Sequence, residues 1–190
     1  MTIIIRNATQ EDVNQVAPLI YDAIGDIANR LTGESSEHKI LEQLELLFCQ
    51  NDNRHSYLNT YVAVNEIDSL KILGILVLYS GEDGIKMDTA LQNWLKIKHG
   101  KTIKIDQEAH LDEFYVDTIC VHEKCRGLGI GTKLLQFAEE IAMQKGFTKI
   151  SLNVETKKDN ARRLYESIGY VVTEPWTIID EPFHHMVKKL

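Results

Sequence analysis

Arg126-Gly-Leu-Gly-Ile-Gly131 places an arginine and three alternating glycines between a β-rich run and an amphipathic segment. Glycine lets a backbone turn tightly and approach a ligand without a Cβ in the way. The first N–H groups of a helix have no intrahelical acceptor, and the helix dipole favours negative charge there. Such a loop suits an anion, and phosphate is its natural occupant. Spacing narrows the choice of phosphate ligand. A Walker loop requires GxxxxGK followed by Ser or Thr, whereas Gly131 is followed by Thr132 and then Lys133. A dinucleotide fingerprint requires GxGxxG, and here the third glycine comes one residue early and past the middle of the chain. Neither nucleotide class fits.

The other reactive side chains are scattered. Cys49, Cys120 and Cys125 are odd in number and form no CxxC pair, which argues against a disulfide framework and for a reducing compartment, the cytoplasm. His184 and His185 are adjacent, so in a strand they face opposite sides and make a poor metal pair. No HExxH or Cys/His cluster is present, and no metal site is expected.

These residues need elements to position them. Residues 3–6 predict a strand, and Thr9 with Asp12 a capping box before an amphipathic helix over 10–24. A second helix is expected over 36–50, ended by NDNRHS, and two apolar runs, 61–64 and 72–79, form a hairpin. Residues 81–110 are irregular, with room for one short helix, and are expected to be an insertion, too small for its own core. Phe114–Val121 is a strand running into the glycine loop and a helix closed by Gly146. Alternation at Ile150, Leu152 and Val154 gives another strand. A short helix capped by Asp159 and two strands, 170–172 and 185–187, complete the chain. Helices interleaved with strands imply one α/β domain, residues 1–190, with a mixed sheet.

Composition sets the outer bounds. The chain has 190 residues, 44% hydrophobic and 26% charged, ordinary for a globular protein. With 21 Lys and Arg against 28 Asp and Glu, the formal charge is −7. There is no global attraction for nucleic acid or an anionic bilayer, and neither is expected as a partner. The opening MTIIIRNATQEDV lacks the apolar stretch of a signal peptide, and ILGILVLY is too short to span a membrane.

Arg-x-x-Gly-x-Gly after the strand DTICV and before an amphipathic helix resembles the acyl-CoA signature of the GNAT superfamily of N-acetyltransferases. IIIRNATQEDVNQVAPLI is similar to that family's first strand and helix, and NVETKKDNARRLYESIGYVV to its second half. The likeness is poorest over 81–110 and 173–183. It implies a twisted, mixed, mostly antiparallel sheet flanked by helices, with acetyl-CoA as co-substrate and no metal. Arg126, Gly129 and Gly131 match the motif, and Gly127, Leu128, Ile130 and Thr132 supply the rest of the loop backbone that would hold the pyrophosphate. The same resemblance places Ile119, Cys120 and Val121 beside the cofactor and gives Asn160 a hydrogen bond to its pantetheine arm. Many such proteins dimerise, so a homodimer pairing through the C-terminal strand is expected.

Acetyl transfer to an amine needs three kinds of help. The ammonium, with a pKa of about 10.4 for a lysine-like amine, must lose a proton. The oxyanion needs a donor, and the departing thiolate benefits from a proton. By helical spacing with Ala161, Leu164 and Ile168 alone Tyr165 reads as a packing aromatic; the resemblance reverses that and makes it the thiolate's acid. In a regular strand Glu113, Tyr115, Asp117, Ile119 and Val121 share one face. Asp117 is the first choice of base and Glu113 the alternative, although either could bind a cationic substrate or simply be solvated. A bulge, common in this strand of the family, would reverse the facing of the residues before it. The expected reaction is direct transfer to a primary amine in a metabolite, polyamine, antibiotic or protein N-terminus. A non-catalytic acyl-CoA-binding module on the same fold is the alternative.

Overall fold

The computed structural model describes residues 2–190. Seven strands, β1 (Ile3–Asn7), β2 (Thr60–Asn65), β3 (Ile72–Ser80), β4 (Phe114–Val121), β5 (Lys149–Glu155), β6 (Val171–Ile178) and β7 (Glu181–Lys189), form one sheet. Its order is β1-β2-β3-β4-β5-β7-β6. Every pairing is antiparallel except β4 with β5. The helices are α1 (Val13–Ile24), α2 (Ile27–Thr32), α3 (Glu37–Cys49), α4 (Gly81–His99), α5 (Ile130–Gln144) and α6 (Asp159–Ser167). This is the mixed, mostly antiparallel arrangement that the resemblance implies.

Helices cover both faces. Leu134, Leu135 and Ala138 of α5 pack on Leu76, Leu78, Phe114 and Val116, with Ala161 and Tyr165 of α6 at the border of that core. On the other face Val16 and Ile20 of α1 and Leu44 and Phe48 of α3 pack on Val62, Val64 and Ile75. Central β3, buried along almost its whole length, accounts for the unbroken apolar run ILGILVLY.

Several elements differ from the sequence expectation. Residues 81–99 form one long helix, where only a short one is predicted. Ser80 caps it by accepting from the Asp83 N–H at 3.1 Å, and Gly100, with φ +68°, ends it. Gly81 resembles a breaker, yet a Cβ there would lie 1.9 Å from the His110 carbonyl oxygen, so the close approach of that loop demands glycine. Leu91 and Leu95 then join Leu31, Leu47 and Ile105 in a satellite core that also pins the unforeseen α2. Asp159 is the first residue of α6, not its cap; Lys158 stands at the cap position without a side-chain bond.

The closing hairpin is longer than the 170–172 and 185–187 expected. Pro175 and Pro182 mask it in the sequence, because proline is usually confined to strand edges. Its two-residue turn has Ile179 and Asp180 both at positive φ, 49° and 66°. The expected pairing of a second copy through the C-terminal strand is ruled out by the sheet order: β7 lies between β5 and β6, and the sheet edges are β1 and β6. Among the described residues no helix is long and apolar enough to cross a membrane.

Candidate active site

Strand β4 carries a bulge. Val77 pairs with Thr118 and the next β3 residue, Leu78, pairs with Val116, leaving Asp117 without a partner. The extra residue reverses the alternation. Phe114 and Val116 before it, and Ile119 and Val121 after it, all face α5. Tyr115 packs with Tyr79 on the opposite face, and Cys120 faces α1 and α3. The single face expected for Glu113, Tyr115, Asp117, Ile119 and Val121 is therefore split.

Among the described residues the only parallel pairing in the sheet joins β4 to β5, and it is short. β4 and β5 pair at Phe114, Tyr115 and Val116 against Ile150, Ser151 and Leu152, and no further. Beyond them the strands part, and a cleft of about 720 Å³ opens there. Ile119, Cys120, Val121, Arg126, Gly131, Asp117, Asn160 and Tyr165 line it. The structure thus gathers most of the candidate residues, drawn from β4, the glycine loop, α5 and α6, around one space.

At one end stands the glycine loop. Gly127 and Gly129 have φ of +78° and +74°, backbone that L-residues with a Cβ rarely adopt. Gly129 caps α5, and its carbonyl accepts the first intrahelical bond, from the Lys133 N–H at 3.1 Å. The N–H groups of Ile130, Gly131 and Thr132 in that first turn have no intrahelical acceptor. Gly127, Leu128 and Gly129 are exposed, the Ile130 side chain is buried in the core, and none of these four nor Thr132 is part of the cleft lining. The Arg126 guanidinium donates to the Val121 carbonyl at 3.1 Å and to Asp22 at 2.9 Å, tying the loop to β4 and α1. Lys157 and Lys158 pair with Glu155, and Arg162 with Glu166.

Cys120 offers no nucleophile. Burial, reinforced by Asp22, pushes its thiol up to about 12, so thiolate is scarce at neutral pH. Cys125 is buried in the core. Tyr165 lines the cleft and at the same time rests edge-on against Tyr170, ring centroids 6.1 Å apart. Burial pushes its phenol up to about 12, so it stays protonated.

The other end is a buried polar cluster. Arg54, almost fully enclosed, donates to Asp88 at 2.6 Å, to Asp117 at 3.3 Å and to Glu108. Tyr115 donates to Glu108 at 2.8 Å, and the Asn153 amide donates to the Glu108 carbonyl at 2.7 Å. Asp117 also accepts from Tyr79 and, at 2.7 Å, from the Thr118 hydroxyl, and lies 3.2 Å from His55 Nε2. Burial alone would push Asp117 up, but His55, Arg54 and Tyr79 outweigh it and hold the carboxyl well below the usual range. Burial wins at Glu108, which is raised despite Arg54.

Glu113 lies elsewhere. It is not part of the cleft lining and meets His185 Nε2 at 3.0 Å and the His110 N–H at 3.0 Å. The Trp176 ring stacks on His185, centroids 4.6 Å apart. His110, Glu113 and His185 bring their polar atoms within 4.8 Å of one another, a convergence the sequence spacing did not show.

Arg54, His55, Asp88, Glu108 and Asn153 were not singled out from the sequence. Arg54 meets its carboxylate partners across 34, 54 and 63 residues, so no local spacing announces them. The one available hint was an arginine and a histidine placed where a helix gives way to an apolar strand.

Comparison with known proteins agrees with this fold. A curated relative, a probable N-acetyltransferase camello from Xenopus laevis, is 37% identical over 59 residues, which are 31% of this chain and 27% of that protein's length. A solved acetyltransferase structure is 33% identical over 98% of both chains, with a TM-score of 0.78. An N-acetyltransferase from Staphylococcus aureus Mu50 is 26% identical over 97% of this chain and 99% of its own, also at 0.78. The model of the acetyltransferase (GNAT) family matches residues 26–170, taking in the glycine loop and most of the residues that line the cleft, and the chain belongs to that family.

Proposed function

We propose that the protein transfers an acetyl group from acetyl-CoA to a primary amine by direct attack in a ternary complex. One observation carries this reading: a single cleft runs from Arg126 and from Gly131, in the first turn of α5, to the buried carboxylates Glu108 and Asp117. The N–H groups of Ile130, Gly131 and Thr132, with Arg126 beside them, suit the pyrophosphate of coenzyme A. Asn160 and the β4 backbone at Ile119, Cys120 and Val121 suit its pantetheine arm. The carboxylate end suits an ammonium group.

The chemistry follows from these positions. The amine loses a proton, and its lone pair attacks the thioester carbon. The C–N bond forms, the C–S bond breaks, and Tyr165 donates a proton to the departing thiolate. Metabolite amines, polyamines, aminated antibiotics and protein N-termini remain the candidate acceptors. The three free cysteines support a reducing, cytoplasmic setting. A homodimer formed through the sheet would use the edge at β1 or β6.

Thiol release from acetyl-CoA, followed over a panel of amines, tests the reading. Release that depends on an amine, with stoichiometric N-acetyl product by mass spectrometry, supports it. Tight coenzyme A binding by calorimetry, with no release for any amine, would instead favour an acyl-CoA-binding module. Preference for ATP or NAD over coenzyme A would discard both.

A further inference from the structure

Four carboxylates line the cleft among the described residues: Asp22, Glu108, Asp117 and Glu155. They are not equivalent. Asp22 sits at the mouth, 57% exposed and paired with Arg126. Glu155 holds Lys157 and Lys158 at 3.0 and 2.6 Å. Both are engaged by cations near solvent and remote from the buried end.

Asp117 and Glu108 share Arg54 but differ in free capacity. An ionised carboxylate offers about four lone-pair sites. Asp117 has all of them taken: Oδ1 faces the Thr118 hydroxyl and His55, and Oδ2 faces Tyr79 and Arg54. Glu108 has one side-chain partner on each oxygen, Arg54 on Oε1 and Tyr115 on Oε2. One site per oxygen is left, at a side chain that borders the cleft.

We propose that Glu108 is the base that takes the ammonium proton of the acceptor, with Asp117 as a fixed charge that positions Arg54 and His55. This rests on the acetyl-transfer reading. The cluster around Arg54 sets one guanidinium against three carboxylates, Asp88 from α4, Glu108, and Asp117 from β4. Protonating one of them relieves the excess of negative charge. When that one is Glu108, Arg54 keeps Asp88 and Asp117 and no buried charge is orphaned. The environments also push the two acids apart, Glu108 upward and Asp117 downward, as separate roles require.

Glu108 is also held rigidly enough to serve. It stands in the irregular segment between α4 and β4, which is pinned to the closing hairpin. Asp106 accepts from the Ile179 N–H at 2.9 Å, and the Gln107 carbonyl accepts from Trp176 at 2.8 Å. Asn153 holds the Glu108 carbonyl from β5. The segment expected to be an insertion thus supplies a wall of the site. In the reaction one N–H proton of the ammonium passes to Glu108 and then to solvent. The second leaves the nitrogen after attack and replaces the proton that Tyr165 gives to the thiolate.

The test is the pH–rate profile, from about pH 6 to 10, of the wild type, Glu108→Gln and Asp117→Asn with an amine from the panel. Circular dichroism and coenzyme A calorimetry run alongside. Glu108→Gln should bind coenzyme A normally, lose roughly 10²-fold or more in kcat, and lose the wild-type acidic limb, its rate rising only at higher pH where free amine is supplied. Asp117→Asn should keep the limb. A folded Glu108→Gln with wild-type rate and limb, or loss of the limb in Asp117→Asn alone, would overturn the assignment. Should Glu108→Gln not fold, Glu108→Asp keeps the charge but withdraws it by one methylene. It should retain the limb at a reduced rate, and a full wild-type rate would overturn the assignment. A wild type that binds coenzyme A and acetylates nothing would instead sink the acetyl-transfer reading.

Discussion

The guanidinium of Arg54 lies 3.3 Å from the carboxylate of Asp117, a residue 63 positions away that the β4 bulge leaves unpaired. A backbone irregularity and a buried cation therefore meet at one point, and each supports the other. The bulge turns Asp117 away from the ladder, and Arg54 and His55 supply the charge and hydrogen bonds that let it stay ionised out of water.

Removing the cation should consequently be severe. Arg54→Met leaves Asp88, Glu108 and Asp117 buried without their shared partner, and should cost about 3–5 kcal/mol. Asp88→Asn should cost less, since Arg54 keeps two carboxylates. Urea denaturation of both variants checks the ranking; equal midpoints would show that the cluster does not depend on Arg54.

Gly131 offers a clean probe of the loop. Its φ is not in the left-handed region, and a Cβ there would meet only Val121 Cγ2, at 3.7 Å, so a side chain adds no backbone strain. Gly131→Glu should preserve the melting temperature while placing an acid among the N–H donors. Coenzyme A affinity should fall more than tenfold, about 1.4 kcal/mol. Unchanged affinity in calorimetry would take the loop out of the binding site.

Tyr165→Phe keeps the ring against Tyr170 and removes only the hydroxyl. Acetyl-CoA binding should persist while kcat drops by roughly 10²-fold, and raising the pH should not restore it, because free amine does not replace an acid. Full activity in the variant would return Tyr165 to a packing role, with water protonating the thiolate.

Glu113 should mark the acid stability of the fold. Burial would raise its pKa, but His185 and the His110 N–H outweigh that and bring it from 4.5 down to about 2. A carboxyl depressed on folding contributes stability above its unfolded value and loses it as pH falls through its folded value. The contribution is therefore complete above about pH 4.5 and fades toward pH 2. Glu113→Gln should flatten that part of the stability curve and lower stability at pH 7, on the order of 2 kcal/mol. Parallel denaturation curves for both proteins across that range would contradict it.

The sequence by itself determined the elements whose signals are local. Alternation and helical spacing place β3, β4, α5 and α6, and the chain's own glycines, at positive φ in 127 and 129, mark the loop where the backbone must turn left-handed. Arg126, Gly129 and Gly131 are legible for the same reason: they sit within six residues of one another.

Only the tertiary structure decided which carboxylates share the cleft. The bulge at Asp117 depends on registration against β3, a strand some forty residues earlier, and it turns Ile119 and Val121 to the face of α5, while Glu113 is captured by His185. Glu108 comes from a segment without periodicity and is placed by Arg54, Asn153 and the closing hairpin. Charges buried together draw their stability from partners far apart in sequence and from the exclusion of water. Neither leaves a trace in local spacing.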